Sequence, residues 1–283
     1  MIPTSLVRGV FLPLHERLKR TPTFPWLRRL ERSQWLERAQ LLELQFARLR
    51  EHVQFAYDHT VYYRRLLDEH GLPPQRIQSP EDFRRIPPLT RDLLRRNFAE
   101  LQAQGARLGR VQRISTGGST GNPVTLLVDM SVGIDIAIRH RAHRWFGAEP
   151  GAREIVLWGS PIELGRQDRL RSLRDWLLNS RLLSAFDLGE EALARYTRAI
   201  ERHRPEVMYG YASAFHVLSR YLQRVGWRPR FKLKAIFTTA EPLLEFQRQG
   251  IQTVFECPVG TEYGARDAGH LADECPEGAI SLE

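Results

Sequence analysis

Hydrophobic residues recur along this chain with two different periods, and the change falls near residue 110. In the first part Leu42, Phe46, Leu49, Val53 and Ala56 step by four, three, four and three, which puts them on one face of a helix. Ser79-Pro80-Glu81-Asp82 offers a hydroxyl cap, a proline in the first turn and an acid three residues past the cap, so a helix is predicted to start there. Pro87-Pro88 stops it, and Thr90 caps a further helix over Arg91 to Phe98. Residues 1–32 are basic and punctuated by proline, and read as an arm over the domain surface rather than a membrane contact. Residues 1–100 are therefore expected to be a mainly helical part packing on a core formed by residues 101–283.

Beyond residue 110 short apolar runs alternate with amphipathic ones. Val111 to Ile114, Val124 to Val128, Glu154 to Trp158, Val207 to Tyr209 and Leu233 to Thr238 read as strands. Between and after them helices are predicted from a Ser131 cap to about Phe146, and over Arg166 to Asn179, Glu190 to His203, Ser213 to Val225 and Pro242 to Phe255. Strands separated by helices of this length imply parallel connections and an α/β fold with largely parallel sheets. In such folds ligands bind outside the carboxyl ends of the strands. Trp158-Gly159, Tyr209-Gly210-Tyr211 and Thr238 to Glu241 stand at those ends.

Candidate chemistry concentrates in Ser115-Thr116-Gly117-Gly118-Ser119-Thr120-Gly121-Asn122-Pro123, which lies between two strands. Its glycines allow a tight turn, and its backbone N–H and hydroxyl groups can converge on one anion. It is not the lysine-bearing phosphate loop that precedes a helix, because no lysine lies near it. By composition alone it is equally a plain polar hairpin.

The wording of the loop resembles the phosphate-binding loop of the adenylate-forming superfamily, and is nearest to the phenylacetate–CoA ligase-like branch. Thr238-Thr239-Ala240-Glu241-Pro242 resembles a second segment of that branch. Phe255-Glu256-Cys257-Pro258-Val259, continuing to Glu262-Tyr263-Gly264-Ala265-Arg266-Asp267-Ala268-Gly269 and Glu274-Cys275, resembles a third, and Pro88-Leu89-Thr90-Arg91 a short segment before the loop. The similarity runs in order from about residue 50 to the last residue.

The resemblance implies the large domain of an enzyme that joins ATP and a carboxylic acid into an acyl-adenylate, with release of pyrophosphate. A thiol, usually coenzyme A, or an amine then takes the acyl group. Ser115 to Gly121 would hold the phosphates, with Thr116 at the reacting end. Ala240, Glu241 and Pro242 would line the purine, and Glu262, Tyr263 and Gly264 would complete the nucleotide site, with Tyr263 over the adenine. Asp267, where the branch usually has glutamate, would bind Mg²⁺ directly or through water. Trp158, Gly159, Tyr209, Tyr211 and Ser213 would form an acyl slot suited to an aryl acid, although core packing explains aromatics at strand ends as well. Cys257, His270 and Cys275 are soft ligand types whose spacing fits no common zinc motif.

Composition adds limits. A chain of 283 residues with 42% hydrophobic and 27% charged residues suits a soluble protein with a substantial core. No apolar run approaches the roughly eighteen residues that a spanning helix needs. Val7 to Leu14, broken by Arg8 and Pro13, is a poor signal peptide, and two cysteines indicate no disulfide framework, so a cytoplasmic location is expected. The net charge of +9 rests on arginine, the only lysines being Lys19, Lys232 and Lys234. Acidic residues are interspersed throughout and no aromatic-basic motif or repeat accompanies the arginines, so no nucleic-acid partner is expected. A homodimer is left open. Family members continue well beyond the position of Glu283, into a small domain whose lysine acts on the adenylate-forming step. No lysine follows Lys234 here. This chain by itself is therefore expected to bind ATP weakly and to activate acids poorly. The alternative reading is a truncated or degenerate homologue serving as a nucleotide-binding partner or scaffold.

Overall fold

A computed structural model of the chain describes residues 2–115, 124–159, 169–265, 268–278 and 280–282. It divides into two compact units, one of residues 1–27 and 133–283 and the other of residues 28–132.

The second unit is mostly helical. Its long helix, Arg38–His59, buries Val53 against Leu67, Leu72 and Ile77, with Phe46 and Leu49 packed alongside. Leu42, expected on the same face, is exposed in the first turns of the helix. The predicted caps form: the Ser79 hydroxyl accepts from the Asp82 N–H at 3.2 Å while the Asp82 carboxylate accepts from the Ser79 N–H at 3.0 Å. Thr90 accepts from the Leu93 N–H at 3.3 Å. Each satisfies backbone donors that the first helical turn leaves free. A hairpin ends this unit. Strand β1 (Val111–Ser115) pairs antiparallel with β2 (Thr125–Asp129), so that Ser115 stands opposite Thr125. The loop that these strands flank, residues 116–123, lies outside the described residues.

The first unit is built on a seven-stranded sheet. Its strands are β3 (Glu154–Trp158), β4 (Ser180–Ser184), β5 (Val207–Gly210), β6 (Ala235–Thr238), β7 (Val259–Ala265), β8 (Gly269–Glu274) and β9 (Ile280–Leu282), in the order β4-β3-β5-β6-β7-β8-β9. The pairings from β4 to β7 are parallel, and β8 and β9 extend the sheet antiparallel. The fold is thus α/β with a largely parallel sheet. Strand alternation separates its faces. Ile155, Leu157, Met208 and Ile236 join Phe215, Leu218, Ile200 and Phe255 from the helices Glu190–His203, Ala212–Arg224 and Glu245–Phe255. Each such fully buried side chain contributes roughly 1.5–3 kcal/mol. On the opposite face Val207, Tyr209, Ala235 and Phe237 pack with Phe146 and Ala148, which follow on from the Ile134–Trp145 helix.

Several boundaries differ from the periodic reading. Strand β4 was not predicted, because Leu182-Leu183 is too short an apolar run to stand out beside a helix. Ser131 does not cap a helix; its hydroxyl bonds Asp129 at 2.6 Å, and the helix starts after Gly133, whose φ of 68° is the left-handed turn that redirects the chain. Pro242 precedes its helix, which begins at Glu245. Residues 2–27, expected as an arm over the domain surface, are largely helical and belong to the sheet unit: Val7 is fully buried, and the Asn179 side-chain amide donates to the Ile2 carbonyl at 2.9 Å. Among the described residues no helix is long and apolar enough to cross a membrane.

Candidate active site at the carboxyl ends of the parallel strands

The end of β3 and the end of β5 approach unusually closely. A Cβ on Gly210 would meet the Leu157 carbonyl oxygen at 2.1 Å, so only glycine fits. The close approach aligns the residues that follow. Trp158 and Tyr211 stack with ring centroids 4.3 Å apart and planes 11° from parallel. Tyr209 lies 6.0 Å from Trp158, and Phe186, after β4, meets Tyr211 edge-on at 6.3 Å. The structure therefore brings Trp158, Tyr209 and Tyr211 into one aromatic cluster. Gly159 continues from it with φ +79°. Phe186 was missed because nothing marked β4 as a strand, yet it is 63% exposed and offers its ring to the same surface.

The next strand end is tied to the same place. The Thr239 N–H donates to the Gly210 carbonyl at 3.0 Å, and the buried Thr238 hydroxyl donates to the Gly260 carbonyl at 3.3 Å. Ala240 then adopts φ +67°, a left-handed conformation that costs a non-glycine residue roughly 1 kcal/mol or more. The turn directs Glu241 back so that its carboxylate accepts from the Ser213 N–H. Ser213 is in the first turn of the Ala212–Arg224 helix, where an acid meets both a free donor and the positive end of the helix dipole. Ala240, Glu241, Ser213 and Tyr211 are thus one connected group, with Pro242 on its rim.

Beneath the aromatic cluster lies a polar layer that sequence reasoning did not find. Arg139, from the Ile134–Trp145 helix, is ion-paired with Glu154 and stands over the Tyr209 ring, its guanidinium carbon 3.5 Å from the centroid. One helical turn later His143 stacks on Phe237 at 4.0 Å. The recurrence of basic residues on a helix facing a sheet was the available signal. Glu262, 7% exposed, is hydrogen-bonded to Tyr209. Burial pushes its carboxyl above the usual range, against the pull of Arg139. Burial likewise raises the Tyr209 hydroxyl and holds the His143 imidazole well below its ordinary value. Glu262 is therefore turned into the protein, whereas its neighbour Tyr263 is 66% exposed. Gly264 follows in tight apposition to β8, where a Cβ would meet the Gly269 carbonyl oxygen at 2.7 Å.

Of the other residues singled out from sequence, Ser115 ends β1 in the second unit and is exposed. Thr116, Gly117, Gly118, Ser119, Thr120, Gly121 and Asp267 lie outside the described residues. Cys257 and Cys275 are free thiols, and His270 bonds Asp273 at 2.8 Å. Among the described residues the one cluster of metal-ligand types is Glu262, His270 and Asp273, without either cysteine.

No family model matches the chain. Protein CapK of Staphylococcus aureus is 26% identical over 246 residues, which are 86% of this chain and 54% of that protein. A phenylacetate-coenzyme A ligase of Thermus thermophilus is 33% identical over 253 residues, again 86% of this chain and 54% of the relative. Among solved structures, 2-hydroxyisobutyryl-CoA ligase in complex with 2-HIB-AMP and CoA, in its thioesterification state, superposes with a TM-score of 0.67. It is 21% identical, and the match covers 86% of this chain and 53% of that one. An open conformation of the same ligase gives 0.62, covering 81% and 51%. The structural likeness establishes the fold. The chain spans about half the length of the curated relatives it matches, and is similar in sequence to a phenylacetate-coenzyme A ligase, the branch whose motifs its own ordered segments resemble.

Proposed function

We propose that this chain forms the nucleotide- and acid-binding part of an enzyme that activates a carboxylic acid as its acyl-adenylate, releases pyrophosphate and passes the acyl group to coenzyme A. The observation that carries the reading is the convergence of the Trp158–Tyr211 stack with the Ala240–Glu241 turn at the ends of adjacent parallel strands, in a chain 33% identical to a phenylacetate-coenzyme A ligase.

Trp158, Tyr209 and Tyr211, with Gly159 and Ser213 at their margin, present flat apolar surface to an aryl acid. An aromatic wall also excludes water, which strengthens electrostatic interactions with a carboxylate held beside it. The backbone at Ala240, Glu241 and Pro242 faces the purine, and its strained turn is the kind of feature that ligand sites retain. The exposed ring of Tyr263 covers the adenine, while Glu262 and Gly264 hold that tyrosine in place from either side. As the resemblance implies, Ser115 to Gly121 would supply N–H and hydroxyl donors to the phosphates, Thr116 among them. A single carboxylate, that of Asp267, together with phosphate oxygens and water makes a suitable donor set for Mg²⁺, which neutralises charge on the phosphates when bound.

The test is carboxylate-dependent exchange between ATP and pyrophosphate, measured on the protein at its native length. Exchange with aryl acids is expected; its absence across aryl and alkyl acids alike overturns the reading. Gly118→Val, which adds bulk where a phosphate loop needs close backbone approach, is expected to abolish ATP binding.

A further inference from the structure

The geometry points to a divalent transition-metal site, of the zinc type, formed by Glu262, His270 and Asp273 on the β7–β8 hairpin. It is separate from the magnesium role assigned to Asp267, and does not depend on the proposed activity. Glu262 and Asp273 are direct cross-strand partners in the antiparallel pairing of β7 with β8. An irregularity in register at Tyr263/Gly264 then shifts β8 so that His270 pairs with Gly264, and its ring bonds Asp273 three residues further along β8. One ligand atom from each of the three residues lies within 4.8 Å of the others. Small side-chain rotations close such a triangle onto an ion with bonds of about 2.0–2.2 Å.

The hydrogen bonds present do not account for the cluster. His270 Nε2 and Asp273 Oδ1 satisfy one another at 2.8 Å. That leaves Glu262 Oε1 and Asp273 Oδ2 buried with no hydrogen-bond partner among the described residues, on side chains of residues 7% and 1% exposed. Two carboxylates side by side in a buried place repel, and an unpartnered buried oxygen carries its full desolvation cost. Two nearby cations attract these carboxylates, Arg139 acting on Glu262 and Arg141 on Asp273, but neither hydrogen-bonds the two free oxygens. Arg139 is ion-paired with Glu154, and Arg141, whose charge Asp273 feels, lies over the Trp145 ring at 4.7 Å. A divalent ion would satisfy both free oxygens and take the place of the proton on His270 Nε2, which is released on binding.

Donor chemistry sets the class of ion. One imidazole nitrogen with two carboxylates suits Zn²⁺, or less tightly Mn²⁺, whereas Mg²⁺ prefers oxygen throughout and keeps its water. The ion would clamp β7 to β8, and so fix the segment that presents Tyr263.

Chelator-treated full chain, titrated calorimetrically with Zn²⁺, Mn²⁺ and Mg²⁺ in turn, tests this. Saturable one-to-one Zn²⁺ binding with a rise in Tm is expected, weakened roughly 100-fold in His270→Gln and Asp273→Asn, as loss of a ligand should weaken it at least as much as loss of a supporting contact. The double variant Cys257→Ser, Cys275→Ser should bind as the wild type does. Absence of saturation, or unchanged affinity in His270→Gln and Asp273→Asn, overturns the proposal. Should those variants unfold, the Co²⁺ spectrum of the wild-type protein decides. Ligand-field bands without thiolate charge transfer support the site; a thiolate band, or no ligand-field bands at one equivalent, refutes it.

Discussion

Arg139 and Tyr209 are in face-to-face contact, the guanidinium carbon 3.5 Å from the ring centroid, and the same guanidinium is ion-paired with Glu154. One side chain thus joins the Ile134–Trp145 helix to two neighbouring parallel strands, just below the aromatic cluster. Arg139→Met keeps most of the volume, removes the charge and leaves Glu154 half-buried without its partner. A loss of about 2–3 kcal/mol is expected in urea unfolding. A midpoint within error of the wild type would mean that the contact contributes nothing.

Two glycines should respond in opposite directions to the same substitution. Gly210→Ala drives a methyl group into the Leu157 carbonyl, at 2.1 Å, and strand pairing must open to relieve it. A loss of about 3 kcal/mol or more is expected. Gly250→Ala lies inside the Glu245–Phe255 helix, where the nearest atom, His216 Nδ1, is at an ordinary 3.7 Å. There a gain of about 0.5–1 kcal/mol is expected from helix propensity and the less flexible unfolded chain. Equilibrium unfolding of both variants is the check.

Acid should weaken the sheet unit through its buried imidazoles. Burial above all, with the charges of Arg139 and Arg144, holds His140 at about 4 against an ordinary 6.5, and burial holds His143 lower still than usual. As pH falls below 6.5 the unfolded chain takes up protons that the folded chain refuses, so the equilibrium moves towards unfolding. The stability that these groups confer is complete above about 6.5, and the share of His140 is used up near pH 4. In His140→Gln the decline of the urea midpoint across that window should be shallower than in the wild type. Parallel pH profiles would assign the decline to other groups.

The aromatic cluster should discriminate between the two substrates of the proposed reaction. Tyr211→Ala removes the ring stacked on Trp158 at 4.3 Å without touching Glu241. The KM for an aryl acid should rise roughly tenfold, the scale of one lost stacking contact, while the KM for ATP stays within about twofold. Equal changes in both would place Tyr211 outside the acid slot.

Much of the architecture was legible from short-range pattern. The 3.6-residue spacing of Phe46, Leu49 and Val53, the Ser79 and Thr90 caps, and the apolar runs at 154–158, 207–209 and 233–238 are local properties that side-chain burial and backbone hydrogen bonding impose on any fold containing them. The rule that ligands gather at strand ends then pointed to Trp158, Tyr211 and Glu241, because alternation of strands and helices already implied a parallel sheet. The order of the motifs pointed to the family for the same reason: their spacing is written in the chain.

What the chain alone did not reveal depends on residues far apart in it. Nothing local marks Leu182-Leu183 as a strand; β4 exists because β3 offers it an edge. Glu262 looked like a ligand to the nucleotide beside Tyr263, yet strand alternation buries it with Tyr209, Arg139 and Asp273 while exposing its neighbour. The same holds for His270: the spacing of Cys257, His270 and Cys275 fits no zinc motif, whereas register and one irregular pairing carry the His270 ring to Asp273. Residue types and periods are set by sequence; which charges share a buried space is set by which strands meet, and only the tertiary structure decides that.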